Sequence, residues 1–427
     1  MPLAASGRPD PAGPLAQGVD RRVFRLAARR RRAQKRALAC GVVALWSLVL
    51  CATVCAQVAP KKYQALYRDL DGQLAALDVR VPGAPGGKLP IRAATLVSAN
   101  CHRGEILLES GTREATTREL DALKNLGAEA IVLQICYPLL TSGYRDPQPF
   151  LNYYINLGNE IRARNLKLLV EHGTLQPGFA SVDVRPYYKK LTKARFARER
   201  YAELKSILVA LQPDYVTLVS EPAAQSAGLK LSVKEWRAYV AKSLDALAQE
   251  LGSFPTLLGA GCGLWEEFEY AGAFAGITRL HYIDLHLYPL TSGGESSIER
   301  LLTWPDRIRE IDSRKLIVLS ELWLYKAGAT EKLKGARDPA IVARDAFSFW
   351  GPLDQKFLRI VGRAARAKNI ELFAPFWSQY FFAYVDYNDP LTFRVNARQL
   401  LDLAAQHAYQ AILQNQVTET GAAFRRM

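Results

Sequence analysis

The sequence is poor in the residues that build metal and redox centres. Its 427 residues hold five histidines and six cysteines, and no two cysteines stand as Cys-x-x-Cys, so a structural zinc knuckle has no ligand set. Cys40, Cys51 and Cys55 fall in one apolar run, and the other three, Cys101, Cys136 and Cys262, lie far apart. That leaves room for a single disulfide and excludes a disulfide framework. A glycine-rich phosphate turn is also missing. The first buried-strand pattern leads into Ala99-Asn100-Cys101-His102-Arg103-Gly104, which argues against a doubly wound dinucleotide-binding sheet. With 49% hydrophobic and 23% charged residues, the composition excludes global disorder.

Positive charge is in excess, at 56 Lys+Arg against 41 Asp+Glu and a net +15. Its distribution weakens a nucleic-acid reading. Residues 1–56 carry ten basic and two acidic residues, so eight of the fifteen net charges belong to this segment. The remaining basic run, Lys189–Arg200, reads as the solvated start of a helix and lacks the aromatic interleaving of single-strand binders. No nucleic-acid partner is expected.

An Arg-dense stretch, Arg21 to Arg36, precedes twenty uncharged residues, Ala37–Ala56. At about 1.5 Å per residue these span roughly 30 Å, one bilayer core. Charge ahead of the apolar run predicts a cytoplasmic N-terminus and a chain that crosses outward. Val54-Cys55-Ala56 suits signal peptidase, so both a cleaved signal peptide and an uncleaved transmembrane helix stay open. Either way, residues 57–427 are expected outside the cytoplasm, periplasmic, extracellular or membrane-anchored.

The expected organisation is a basic region (1–36), the apolar segment (37–56), a helical lead-in and linker (57–90), a (β/α)8 barrel (91–417) and a tail (418–427). Helical spacing marks Lys62–Leu77, and Val81–Leu89 is a Pro/Gly linker. Eight short apolar runs then read as buried strands: Ala94–Ser98, Ala130–Ile135, Lys167–Val170, Tyr215–Ser220, Thr256–Ala260, Tyr282–Tyr288, Leu316–Ser320 and Glu371–Phe376. Helix-forming stretches follow them, clearest at Thr112–Leu126, Phe150–Arg164, Ala194–Leu211, Val233–Leu251, Ser297–Ile311, Ala340–Lys368 and Asn396–Leu413, and weaker at Glu266–Phe274. Continuous rather than alternating apolar strands mark a parallel sheet covered on both faces. Eight such units predict an α/β fold, the (β/α)8 TIM barrel.

In such barrels the site forms where strands meet the loops that follow. Polar residues at those points stand out: Glu171-His172 in the third unit, Ser220-Glu221 in the fourth, His286 and Tyr288 in the sixth, Ser320-Glu321 in the seventh and Trp377 in the eighth. Glu221 and Glu321 would face each other across the barrel mouth, the pair of carboxylates that glycoside hydrolysis needs. Glu171-His172 reads either as site wall or as a satisfied core pair. Trp265, Trp323 and Trp377 offer flat rings on which sugar faces can stack, whereas Trp236, Trp304 and Trp350 read as helix packing. The cluster Tyr380, Phe381, Phe382, Tyr384 and Tyr387 either lines a cleft or packs a loop.

The order and spacing of these strand-end residues resemble clan A of the retaining glycoside hydrolases, which includes many endoglucanases, mannanases and galactanases. The resemblance covers most of residues 91–415. It implies Glu221 as acid/base, Glu321 as nucleophile, His286 and Tyr288 as the strand-six His-x-Tyr pair whose Tyr hydroxyl orients the nucleophile, and Trp377 as the aromatic floor under the sugar. It further implies a retaining cleavage of a β-linked poly- or oligosaccharide, with no cofactor and no metal. One departure stands out: Ser220 occupies the position where many clan members hold the sugar 2-hydroxyl with Asn. An inactive glycan-binding barrel for polysaccharide handling or export is therefore the alternative. A metal-dependent hydrolase built on Glu171, His172, His286 and Glu321 is the weaker third reading, since no His-x-His closes the first strand.

Overall fold

The computed structural model describes residues 58–83, 87–178, 180–288, 291–292, 295–328, 331 and 339–427. The expected basic region and apolar segment, 1–56, lie outside the described residues. Among the described residues no helix is long and apolar enough to cross a membrane.

Eight parallel strands close into a barrel: β1 (Ile91–Thr95), β2 (Ala130–Tyr137), β3 (Lys167–Thr174), β4 (Tyr215–Thr217), β5 (Leu257–Gly263), β6 (Tyr282–Leu287), β7 (Leu316–Leu322) and β8 (Leu372–Pro375). Each pairs with the next in sequence, and β8 returns to β1 through Ile91 opposite Leu372. A lead-in helix, α1 (Gln64–Arg80), precedes the barrel. The connecting helices are α2 (Ser110–Asn125), α3 (Gln148–Ala163), α4 (Lys193–Leu211), α5 (Val233–Leu251), α6 (Phe268–Ala275), α7 (Ser297–Ile311) and α8 (Gly351–Ala367), with α9 (Ala397–Leu413) and α10 (Glu419–Arg425) after β8. Starts follow local chemistry. Ser232 with Glu235 and Asn396 with Gln399 form capping boxes at α5 and α9, each satisfying orphan backbone N–H groups.

Alternation along each strand divides the core. Outward residues such as Ile131, Leu133, Leu168, Val170 and Leu258 pack under the helices. Inward residues Ala93, Val132, Leu169, Tyr215, Tyr282, Val318 and Leu372 fill the lower barrel. Gly259 is what admits Tyr282: a β-carbon there would lie 2.1 Å from the Tyr282 ring. Above this apolar layer the inward positions turn polar, so the barrel is plugged below and chemically furnished above.

Several boundaries differ from the sequence reading, and three have a clear physical reason. β1 begins and ends three residues early, because Val97 and Ser98 leave the ladder and donate their N–H groups to the Glu119 carboxylate at 3.3 and 3.0 Å. The run 340–368 divides into short turns and α8, since Gly351-Pro352 starts a helix where proline needs no donor. The expected tail holds α10, whose Phe424 is fully buried and stacks on Phe381 with centroids 4.7 Å apart. On the opposite flank Leu70, Leu74 and Leu77 of α1 are buried, and Lys356 of α8 pairs with Asp71 at 2.5 Å.

Candidate active site

The polar upper layer gathers side chains from β2, β3, β6, β7 and the loop after β4. His286, on the inward face of β6, is its hub. Its Nδ1 lies 2.9 Å from Glu221 Oε1 and 3.9 Å from Glu321 Oε2, and its Nε2 lies 3.1 Å from Ser320 Oγ and 3.6 Å from Glu171 Oε1. The register of β6 against β7 shifts between Asp284 and His286, which lets both Ser320 and its neighbour Glu321 turn into the barrel. The Tyr288 hydroxyl donates to Glu321 Oε1 at 2.8 Å. Gln134, on β2, donates from Nε2 to Glu171 Oε2 at 3.0 Å and also to Glu321 Oε2. Since Glu221 and Glu321 each have an oxygen within 4 Å of one ring nitrogen, those oxygens are separated by less than about 7 Å. That spacing accommodates the 5–5.5 Å of double displacement and leaves little of the wider inverting range.

Four carboxylates share this space with one imidazole. Burial by itself lowers the His286 pKa, but the charges of Glu171 and Glu321 outweigh it and hold the ring well above its usual value. Burial pushes Glu321 up to about 8, with repulsion from Glu171 and Glu221 adding to it against the His286 charge. Glu171 is also penalised by burial, but the nearby His286 charge, with the N–H it accepts from Gln134, brings its pKa below the ordinary carboxyl value. Beneath them Asp284 accepts from Thr217 Oγ1 at 2.7 Å and from Ser320 Oγ at 2.7 and 2.6 Å. Burial pushes Asp284 up to about 6, with Glu171 adding to it. Burial and crowding of four carboxylates around a single cation thus raise the proton affinity of Glu321 and Asp284.

Other candidates from the sequence are held elsewhere. His172 points outward from β3: its Nε2 sits 3.1 Å from Glu203 of α4, because one step along a strand reverses the face. Glu171 and His172 are therefore not a unit, and the four-residue metal set is not assembled. Glu171, His286 and Glu321 do bring one donor each within 4.8 Å of the others, but Glu221 and Ser320 already engage both ring nitrogens. The Cys101 and Cys136 sulfurs, beside His102, are joined as a disulfide and offer no thiolate to a metal. Ser220 is buried and accepts from Gln225 Nε2 at 2.9 Å, while its N–H donates to Gln225 Oε1 at 3.3 Å. It closes its own turn.

Of the tryptophans, Trp265 is half-buried and meets Tyr288 edge-on with centroids 5.8 Å apart. Trp377 is half-buried against Phe376 and Tyr380. Trp323 is fully buried among Tyr380 and Phe381, with Lys326 Nζ 5.2 Å above its ring, so it packs the core and has no free face for a sugar. Tyr380, Phe381 and Phe382 are likewise buried and pack their loop.

Sequence reasoning missed Gln134 and Glu266, and it left Asp284, a polar residue in the sixth strand run, without a role. Gln134 and Asp284 each interrupt an apolar strand with a polar residue on the inward face, a usable signal. Glu266 carries none. Its two oxygens accept from Ala223 N at 2.9 Å and Gly263 N at 2.8 Å, clamping the loop that bears Glu221 to the end of β5. Burial pushes it up to about 7 against those two donors, with the Glu221 charge adding to it. Arg200 of α4, in the run expected to be solvated, is fully buried. It donates to the carbonyls of His172, Gly173 and Leu218 at 2.6, 2.8 and 2.9 Å and to Thr174 Oγ1 at 2.5 Å. It ties the C-terminal ends of β3 and β4 together.

No family model matches the chain, and no curated protein matches it. Among solved structures it is similar to the exo-β-1,4-mannosidase Op5Man5 from Opitutaceae bacterium strain TAV5, at 13% identity and a TM-score of 0.47, over 77% of this chain and 61% of that one. The chain thus spans less than two thirds of that mannosidase. It is also similar to the virulence factor SghA from Agrobacterium tumefaciens, at 11% identity and a TM-score of 0.45, over 78% of this chain and 99% of that one. A family 1 β-glucosidase from Thermotoga maritima gives 9% identity and a TM-score of 0.45, over 70% and 91% of the two chains.

Proposed function

We propose that the barrel is a retaining glycoside hydrolase that cleaves a β-linked poly- or oligosaccharide, with Glu321 as nucleophile and Glu221 as acid/base. The observation that carries this reading is the pair of carboxylates bound to one imidazole at the C-terminal barrel mouth, one of them also held by a tyrosine hydroxyl. In the first step a Glu321 oxygen attacks the anomeric carbon, the glycosidic C–O bond breaks, and the Glu221 proton goes to the departing oxygen. In the second, Glu221 takes a proton from water, the water oxygen bonds to the anomeric carbon, and the Glu321 ester bond breaks. Tyr288 and Gln134 hold the Glu321 carboxylate while charge moves through it, and the Trp265 ring is available to a sugar face.

A second reading has one supporting observation. Ser220 is consumed by Gln225, which takes the position before Glu221 out of sugar contact and favours an inactive glycan-binding barrel. Hydrolysis of a panel of β-glycans and aryl β-glycosides by wild type, Glu221→Gln and Glu321→Gln separates the two. Turnover is expected from wild type, with a loss of at least about 1,000-fold in both variants. Undiminished turnover by Glu321→Gln sinks the nucleophile assignment, and tight glycan binding without wild-type turnover across the panel establishes the second reading.

We also propose that residues 57–427 act outside the cytoplasm. A disulfide between Cys101 and Cys136 fits an oxidising compartment. Fractionation of cells expressing the full chain tests this, and recovery of the barrel in the cytosol with free Cys101 and Cys136 refutes it.

A further inference from the structure

One end of the Glu321 carboxylate is the terminus of a chain of hydrogen bonds in which the partners dictate every donor and acceptor. The backbone N–H of Gln176 donates to His102 Nε2 at 3.1 Å, so that nitrogen carries a lone pair and the ring proton sits on Nδ1. His102 Nδ1 donates to Asn100 Oδ1 at 3.0 Å, and the backbone N–H of His102 donates to the same oxygen at 2.9 Å. That atom is therefore the amide oxygen, and Asn100 must present its Nδ2, which donates to Gln134 Oε1 at 2.5 Å. Gln134 in turn can present only N–H groups to Glu171 and Glu321. Burial supports the same polarity: it lowers the His102 pKa to about 4 and keeps the ring neutral. The Cys101–Cys136 disulfide joins the loop that bears Asn100 and His102 to the strand that bears Gln134.

We propose that Asn100 and His102 are positioning residues for Glu321. Acting through Gln134, they fix the direction of the amide so that the nucleophile always faces a donor. This inference rests on Glu321 being the nucleophile. A free Gln134 amide could turn its oxygen toward Glu171 and Glu321, which would repel the charge Glu321 needs for attack.

Asn100→Asp and Asn100→Ala, compared with Glu321→Gln, form the test. Asp matches the shape of Asn but puts an acceptor against Gln134 Oε1 and forces the amide to reverse. Ala removes the link without reversing it. Asn100→Asp is expected to lower kcat about 100-fold with little change in KM, and Asn100→Ala about tenfold, on the scale of a misplaced reacting group. The acid limb of the kcat/KM profile is expected to move to higher pH in Asn100→Asp, because an oxygen facing Glu321 favours its protonated form. A packing role predicts the opposite order, with Asp the milder change. Kinetics for Asn100→Asp equal to or better than Asn100→Ala, or an unmoved acid limb, overturn the proposal while Glu321→Gln stays inactive. Full activity of Glu321→Gln instead removes the reading on which it rests. If Asn100→Asp does not fold, His102→Ala, which cuts the chain one link earlier, is expected to lose kcat with KM retained, and wild-type kcat in that variant overturns the proposal.

Discussion

At the scale of single residues the site is governed by competition for protons among neighbouring carboxylates. As the proposed nucleophile Glu321 would attack only when ionised, and its folded pKa lies above the ordinary carboxyl value, so the competent fraction would grow as pH rises through about 8. The acid limb of kcat/KM is therefore expected well above that of an isolated carboxylate. Glu171 contributes to this by repulsion. Removing its charge in Glu171→Gln lowers the pKa of Glu321 and is expected to shift the acid limb to lower pH, by about one unit on the scale of a single neighbouring charge. A pH series of initial rates measures it, and an unmoved or upward-shifted limb rejects the coupling. Glu171 could be noted in the sequence as a strand-end acid. Gln134 shows in the sequence as a polar interruption of β2, but its pairing does not, because it crosses from β2 to β3 and the contact to Glu321 crosses 187 positions.

At the scale of elements, α4 and the loop after β5 hold the strand ends and the loop that carry the clustered carboxylates. Arg200 spends its guanidinium on acceptors at the ends of β3 and β4. Arg200→Met would leave those buried acceptors without donors, and a stability loss of about 3–5 kcal/mol is expected in urea unfolding. Arg200→Lys is expected to recover only part of it, because a compact ammonium cannot reach a fan of acceptors on two strands. Glu266 acts similarly on the Glu221 loop. Glu266→Gln keeps one acceptor of two and is expected to lower kcat about tenfold with the fold intact by circular dichroism, whereas unchanged kcat would show that the clamp is dispensable. Strands and helices of this kind were largely legible, since their periodicity is local. The inward or outward sense of one residue was not. His172 and Glu171 are adjacent in sequence and on opposite faces of one strand, and only the strand's placement in the sheet says which faces the site.

At the scale of the whole molecule, closure matters more than any one contact. β1 must meet β8 for Gln134, Glu171, His286 and Glu321 to face one another, and the flank of α8 that supports this closure is covered by α1 and α10. Phe424 of α10 is the buried anchor of the last segment. Phe424→Ala is expected to cost about 3–5 kcal/mol, read as a lower urea midpoint, with kcat of the remaining folded protein unchanged. An unaltered midpoint would show that α10 is an ornament of the barrel.

The amino-acid sequence alone determined the eight-fold alternation of strand and helix, the approximate strand ends and the two glutamates that stand at them, because these depend on short-range periodicity and on the burial of apolar runs. Tertiary structure decided which polar residues share a volume. It turned Glu171 inward and His172 outward, drew Trp323 into the core, engaged Ser220 within its own turn, and brought Gln134, Asp284 and Glu266 to or beside the cluster. The physical reason is that electrostatics and hydrogen bonding act over a few ångströms of space, and a closed barrel makes neighbours of residues that the chain keeps far apart.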